Sequence, residues 1–382
     1  MLTDGKISIC IDIQNNAIGD VQITSSRPLN IPILFANKPV VYVENIINTI
    51  YQLCNTAHRF AFLSLLDKSG VITLSDNEIL AYKMLLNLEN LKEHCFSMMT
   101  KWTLDNSHFP KMALILQNID AIKKALCPSG DALSLQTKQL QDGTNIQPLI
   151  AKLTSTIQDI FCDIDNLTNV KELDKWRINS ASIGAQFLEY LMQANYASLG
   201  NETSKHLPPL TALQMSALLE DESIIKTPTY LGQTYENTSF SKLASHPLIT
   251  KLQNIYGTGI FTRSTARILE VLALLRSLNH NYISLKKQDL SYTFSAQKSQ
   301  TNTTAIDVSR GRLIHKMHFE GEQIMSYQIL APTEWNFHPR GILYDMIKNL
   351  SHTDEASLRK QIELLVAAID PCVGYELEIT EH

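Results

Sequence analysis

Paired cysteines are missing from this chain. Its six cysteines, Cys10, Cys54, Cys95, Cys127, Cys162 and Cys372, stand far apart, and no two form a C-x-x-C pair. That spacing excludes a zinc-finger module and leaves reduced thiols, mostly buried as small hydrophobes, as the plain reading. Basic excess is missing too. There are 33 Lys and Arg against 38 Asp and Glu, a net charge of -5, and no basic run alternates with aromatics. A nucleic-acid partner is thereby disfavoured. No window reaches the ~18 apolar residues needed to cross a bilayer. Met1 to Gly5 is polar, and the apolar stretch after it is broken by Asp12 and Asn15, so no secretory leader is expected. The expectation is a cytoplasmic protein without membrane contact. Internal repeats and long low-complexity segments are also absent. What remains is an ordinary globular composition of 382 residues, 44% hydrophobic and 19% charged, with material for a sizeable core.

Hydrophobic periodicity divides the chain. Ile7, Ile9, Ile11 and Ile13 alternate with Ser8, Cys10 and Asp12, which predicts a strand and, with turn residues over 14–20 and a return at Val21 to Thr24, an N-terminal β-hairpin over 6–26. A helical body is expected over 43–280. Its first helix carries Ile46, Ile47, Ile50, Leu53, Cys54, Ala57 and Ala61 on one face, running to about Asp67. Further helices are expected near 76–98, 111–126, 146–164, 180–197 and 263–278. Residues 281–330 read as β-rich, the clearest hairpin being Arg312 to Phe319 with Gln323 to Leu330 around Gly321, and Gln297 to Thr304 as the most loop-like stretch. Two C-terminal helices follow over 340–368, the last with Thr353 as its expected N-cap, and then a D-P-C tail. The fold class is α+β, one mainly helical domain over 1–382 with small antiparallel sheets from both ends of the sequence.

Several segments carry chemistry in a recognisable order. The chain closes with Asp370-Pro371-Cys372-Val373-Gly374-Tyr375. Near the start stands Leu53-Cys54-Asn55-Thr56-Ala57-His58. Between them lie Ser309-Arg310-Gly311-Arg312-Leu313 and Ala331-Pro332-Thr333-Glu334-Trp335-Asn336-Phe337-His338-Pro339-Arg340. These resemble, in order, the D-P-C-x-x-C, R-x-C-G-x-C-x-x-x-H, P-R-G-A-L and P-T-T-W-N-x-S-P-R motifs of [NiFe] hydrogenase large subunits. Thr3-Asp4-Gly5-Lys6-Ile7 echoes the opening I-E-G-H-L, and Tyr235-Glu236 with Ser241-Lys242-Leu243 loosely echoes Y-E-x-G-P-L-A-R. The A-P-T-E-W-N-F-H-P segment is closest to the HupK/HoxV group, large-subunit-like accessory proteins of hydrogenase operons. The implied fold is a mainly helical hydrogenase large-subunit-like one.

The resemblance is as telling where it fails. The family site uses four thiolates; here Cys54 and Cys372 match two of them, while Tyr51 and Tyr375 stand where the others belong. A phenol with a pKa near ~10 is a hard, bulky substitute for a soft thiolate. Nickel is therefore not expected, nor hydrogen activation. Two thiolates suit one iron, and the resemblance implies a non-catalytic scaffold or carrier for a transient Fe(CN)2(CO) unit. Its metal ligands would be Cys54 and Cys372, with Arg310, His58 and Asp370 as cofactor-binding groups. Arg310 would donate to cyanide, His58 would share a helix face with Cys54, and Asp370 would hold Arg310 or cap local backbone. HypC/HypD-type proteins are the implied iron donors and the hydrogenase large subunit the implied acceptor. Glu378 stands where the family has its processing-site histidine, so C-terminal processing is not expected. Plainer readings stand beside these: Cys54 and His58 as core residues, Cys372 as a surface thiol, Arg310 as a strand-edge ion pair, His315 and His318 with no metal role. Two rival functions stay open, a metal-free interaction chaperone for hydrogenase assembly and a divergent catalytic subunit.

Overall fold

The computed structural model describes residues 5–381, apart from 16, 104–108, 129, 136–137, 140–145, 203–204, 286–288 and 291–296. Thr3 and Asp4 of the N-terminal motif lie outside the described residues. In chain order the elements are β1 (Lys6–Gln14), β2 (Ala17–Ser25), β3 (Lys38–Pro39), α1 (Val40–Ile50), α2 (Asn55–Lys68), α3 (Asp76–Lys101), α4 (Phe109–Leu126), β4 (Lys138–Gln139) and α5 (Ile146–Phe161). There follow α6 (Val170–Asn179), α7 (Ile183–Gln193), α8 (Ala212–Leu218), α9 (Ser239–Leu243), α10 (Pro247–Tyr256) and α11 (Ile260–Ser284). The chain finishes with β5 (Asp289–Leu290), β6 (Gln297–Val308), β7 (Gly311–Gly321), β8 (Gln323–Leu330), α12 (Pro332–Asn336), α13 (Ile342–Lys348), α14 (Glu355–Ile369) and β9 (Gly374–Glu381).

The alternating isoleucines of β1 are all buried, as a strand with one face on the core requires. One three-stranded sheet has the order β2-β1-β9. β1 pairs antiparallel with β2 and parallel with β9, in register Ile7 with Tyr375 and Ile9 with Leu377. The two ends of the chain thus share a sheet. A second sheet, β3-β8-β7-β6, holds the predicted hairpin, turning at Gly321 with a positive φ of 62°. The two longest helices, α3 and α11, pack on one another. α3 opens on a capping box in which Ser75 and Glu78 satisfy each other's backbone N–H groups.

Five expectations need correction. The helix expected from 43 to 67 is two helices, broken over 51–54. The hairpin turn is tight, with β2 beginning already at Ala17. Gln297 to Thr304 belongs to strand β6, paired with β7. The last helix is capped by Asp354, whose carboxylate accepts from Ser357 N–H, and not by Thr353. The β-rich segment also starts late, because α11 runs on to Ser284.

Candidate metal centre

Three junctions between elements converge on one cavity of about 40 Å³, and both candidate cysteines line it. The first junction is the break between α1 and α2. Cys54 is the residue preceding α2, and its carbonyl accepts from His58 N–H at 3.1 Å. The next two amides of the helix start, Thr56 and Ala57, which lack a partner within the helix, donate to the two carboxylate oxygens of Glu89 on α3 at 2.8 and 3.0 Å. A carboxylate satisfying free N–H groups at a helix start is the electrostatically favoured arrangement. It leaves the thiol of Cys54 free of any capping duty. Cys54 stands just before the helix rather than within it, and both it and His58 line the cavity. Burial, then the Glu89 carboxylate and the second cysteine, raise the Cys54 thiol, so ligation of a metal by this sulfur would release a proton.

The second junction links α14 to β9. Helix α14 ends at Asp370 in the left-handed conformation, φ 60°, and Pro371 forbids continuation. Cys372 follows at once, its Sγ 3.1 Å from Thr333 Oγ1 of α12. Parallel pairing of β9 with β1 fixes this link against the N-terminal strand. The neighbouring Glu334 pairs with Arg27, which also lines the cavity.

The third junction is the β6–β7 turn that carries Arg310. Gly311 has φ 133°, and a Cβ there would come within 2.0 Å of the Asn237 carbonyl, so only glycine fits. Arg310 donates from Nη1 to Glu93 at 3.0 Å, and its Nε stands 3.6 Å from Asp370. Burial alone would lower this guanidinium's pKa, but the Asp370 and Glu93 carboxylates outweigh it and keep the charge. Asp370 accepts from Ser97 at 2.7 Å and pairs with Arg267 at 3.3 Å and with Lys101. It is not among the residues lining the cysteine cavity. Its place in the site is thus behind Arg310, as the counter-charge that orients it.

A neutral wall faces this charged one. His58 Nδ1 lies 3.0 Å from His315 Nε2, and His315 Nδ1 lies 2.7 Å from the Tyr327 hydroxyl, all three side chains being buried. The Tyr51 ring stacks on His58 with centroids 3.8 Å apart. Burial lowers both histidines, His315 to about 3, so both imidazoles are neutral at pH 7.

The donor set decides what fits. Among the described residues no group of three or more His, Cys, Asp and Glu is placed to hold a metal ion. Tyr51 covers His58, while Tyr375 pairs with Ile7 in the sheet and does not line the cavity. Four thiolates for a nickel–iron pair are not available. Two thiols with flanking cationic donors suit a single metal that brings its own remaining ligands. At roughly 10–15 Å³ per water-sized group the cavity admits about three such groups, which rules out an organic cofactor of nucleotide size.

The periodicity reading missed Arg27, Glu89, Glu93 and His315. A signal for the acids existed: Glu89, Asn90 and Glu93 recur at three and four on a helix whose same stretch is apolar, and all are buried. His315 and His318, both read without a metal role, have opposite parity on β7. The same parity puts His315 inside.

The fold is that of a hydrogenase large subunit. The Ni-Fe-Se hydrogenase from D. vulgaris Hildenborough in its reduced state superposes with a TM-score of 0.69 at 12% identity over 94% of each chain. A family model described as nickel-dependent hydrogenase matches residues 164–375, more than half of the sequence, and the chain belongs to that family. It is similar over its whole length to the hydrogenase expression/formation protein HupK of Bradyrhizobium diazoefficiens, at 24% identity over 98% of this chain and 97% of that one. A shorter stretch of 79 residues is 44% identical to the hydrogenase expression/formation protein HoxV of Cupriavidus necator, covering 20% of this chain and 21% of the relative. Among the described residues no helix is long and apolar enough to cross a membrane.

Proposed function

We propose that this chain is a non-catalytic accessory protein of hydrogenase formation that carries an Fe(CN)2(CO) unit as cargo between Cys54 and Cys372. One observation carries the reading: the two cysteines, 318 positions apart in the sequence, line a single small cavity beside Arg310. Iron(II) with two cyanides and two thiolates bears excess negative charge. Arg310 and Arg27 answer it with charge-assisted donors suited to cyanide nitrogen and to sulfur. A carrier also needs an incomplete seat, because a full set of thiolates would trap the metal. Tyr51 and Tyr375, in place of two cysteines, leave it incomplete. HypC/HypD-type proteins would deliver the unit and the true large subunit would receive it.

The test is expression beside the maturation machinery, followed by metal analysis and infrared spectroscopy. The expected protein contains iron without nickel and shows cyanide and carbon monoxide bands that vanish in Cys54→Ala and in Cys372→Ala. Repeated purification of the wild-type protein without iron or bands would sink the reading. Normal hydrogenase maturation in cells carrying the double alanine variant would transfer support to a metal-free chaperone.

A further inference from the structure

We propose that the buried chain Tyr327–His315–His58 holds His58 as an Nε2–H donor toward the Cys54/Cys372 cavity. Tyr327 and His315 are then positioning residues that select a ligand presenting a lone pair to this wall. The choice of ligand rests on the cargo reading above; the tautomer does not.

The argument is one of placing hydrogens. Two arrangements satisfy the 2.7 Å and 3.0 Å contacts. In one, every proton points toward the cavity: the Tyr327 hydroxyl donates to His315 Nδ1, His315 Nε2–H donates to His58 Nδ1, and His58 is left with Nε2–H. In the other, every proton points away, and His58 keeps a bare Nε2. The second arrangement makes the Tyr327 oxygen an acceptor and leaves its own hydrogen without a partner, because among the described residues this hydroxyl has no hydrogen bond but that to His315. Tyr327 is only 5% exposed, so water does not take that hydrogen. A buried hydroxyl proton without an acceptor is the costlier outcome, and the first arrangement prevails. Burial supports it from both ends, holding the proton on Tyr327 and keeping both histidines uncharged.

The consequence lies at the cavity. His58 lines it, and only the Nδ1 edge of its ring is engaged within the protein. An Nε2–H there joins Arg310 and Arg27 as a third donor. The lining then favours acceptors such as cyanide nitrogen, thiolate or carbonyl oxygen, and disfavours a ligand that must itself donate. The stacked Tyr51 ring holds the His58 plane.

Nitrogen-15 NMR of the metal-free, full-length protein labelled at histidine decides the matter, with resonances assigned from those lost in His58→Gln and His315→Gln. Both His58 and His315 are expected as neutral Nε2–H tautomers. Finding His58 with its proton on Nδ1 would overturn the proposal. Tyr327→Phe removes the donor that sets the order, so the two ring nitrogens of His58 should lose their fixed difference and move toward averaged shifts. An unchanged Nε2–H signature in that variant would show that Tyr327 does not position the ring. Because the readout needs no iron, a protein that never shows cyanide bands would count against the cargo reading alone.

Discussion

Two polar networks reach the cysteine cavity, one through Arg310 and Glu93 and the other through His58, and they form walls built on opposite principles. On one side Asp370 and Glu93 face three cations, Lys101, Arg267 and Arg310. On the other, His58, His315 and Tyr327 share hydrogen bonds without a charge among them at pH 7. Among the groups of the charged wall cations outnumber carboxylates three to two, while the cavity lining itself pairs Arg27 and Arg310 with Glu89 and Glu93. The neutral wall contributes direction without charge. Together they show how a small site is made receptive to an anion without an unpaired ion buried in the core.

The largest effect is expected where a counter-charge is removed. Asp370→Asn keeps the shape of the side chain but leaves Arg267, Arg310 and Lys101 facing one another with Glu93 alone. Breaking a buried network from one partner costs about 3–5 kcal/mol, and urea unfolding at pH 7 would measure it. A loss below ~1 kcal/mol would mean that the charged wall is solvated in a way its burial denies.

A pH titration separates the walls more sharply. The folded pKa of His315 is pushed down to about 3 by burial, against an ordinary ~6.5 in the unfolded chain. Below pH ~6.5 the unfolded chain takes up a proton that the folded protein refuses, so stability present above that pH falls as pH drops toward 3. The slope is about 1.4 kcal/mol per pH unit for this one residue, or roughly 2 kcal/mol between pH 6.5 and 5. His58 and His94, also lowered, act in the same direction. Asp370 is held far below the usual carboxylate range because Lys101, Arg267 and Arg310 outweigh its burial, so its contribution is full above the unfolded carboxylate's ~3.9 and is lost as pH falls from there toward its folded value. Urea midpoints at pH 7, 6 and 5 should therefore fall for the wild type and fall less steeply in His315→Gln.

Removing one hydroxyl is a gentler probe of the same wall. Tyr327→Phe deletes a single hydrogen bond and leaves His315 Nδ1 without its donor, for a loss of about 1 kcal/mol at pH 7. Thermal unfolding against the wild type would check it. The tautomer change at His58 is thus expected in a protein that remains folded.

How much of this was legible beforehand varies with how local its cause is. The β1 isoleucines, the α3 stretch, α11 and the Gly321 hairpin were readable because each is set by its own periodicity or turn. The break at 51–54 was not, because the apolar spacing runs on through it. What marks the start of α2 there is Glu89, more than thirty residues downstream, capping the free amides. β6 was hidden by its polar composition; its threonines are good strand formers only once β7 supplies the partner. The motifs located Cys54, Cys372 and Arg310 as a set, since their meaning lay in order along the chain. The same resemblance offered Asp370 as a holder of Arg310, but it could not show that His315 completes the wall behind His58, because that arises from packing between remote segments.

The smallest effect belongs to the cysteines themselves, and it is the one on which the comparison turns. Neither thiol is part of either wall. Cys54 makes no capping bond, and the Cys372 sulfur makes one hydrogen bond among the described residues, with the Thr333 hydroxyl. Both are only partly buried by residue, and sulfur is a weak partner in hydrogen bonding. Cys54→Ala and Cys372→Ala should each change the stability of the metal-free protein by less than about 1 kcal/mol. Urea unfolding of both variants without metal checks this directly. If the loss is instead as large as that of Asp370→Asn, the thiols are structural members of the core and an absence of iron in those variants would report unfolding. If it is small, the walls stand without them, and any iron that disappears with the sulfur was held by the sulfur.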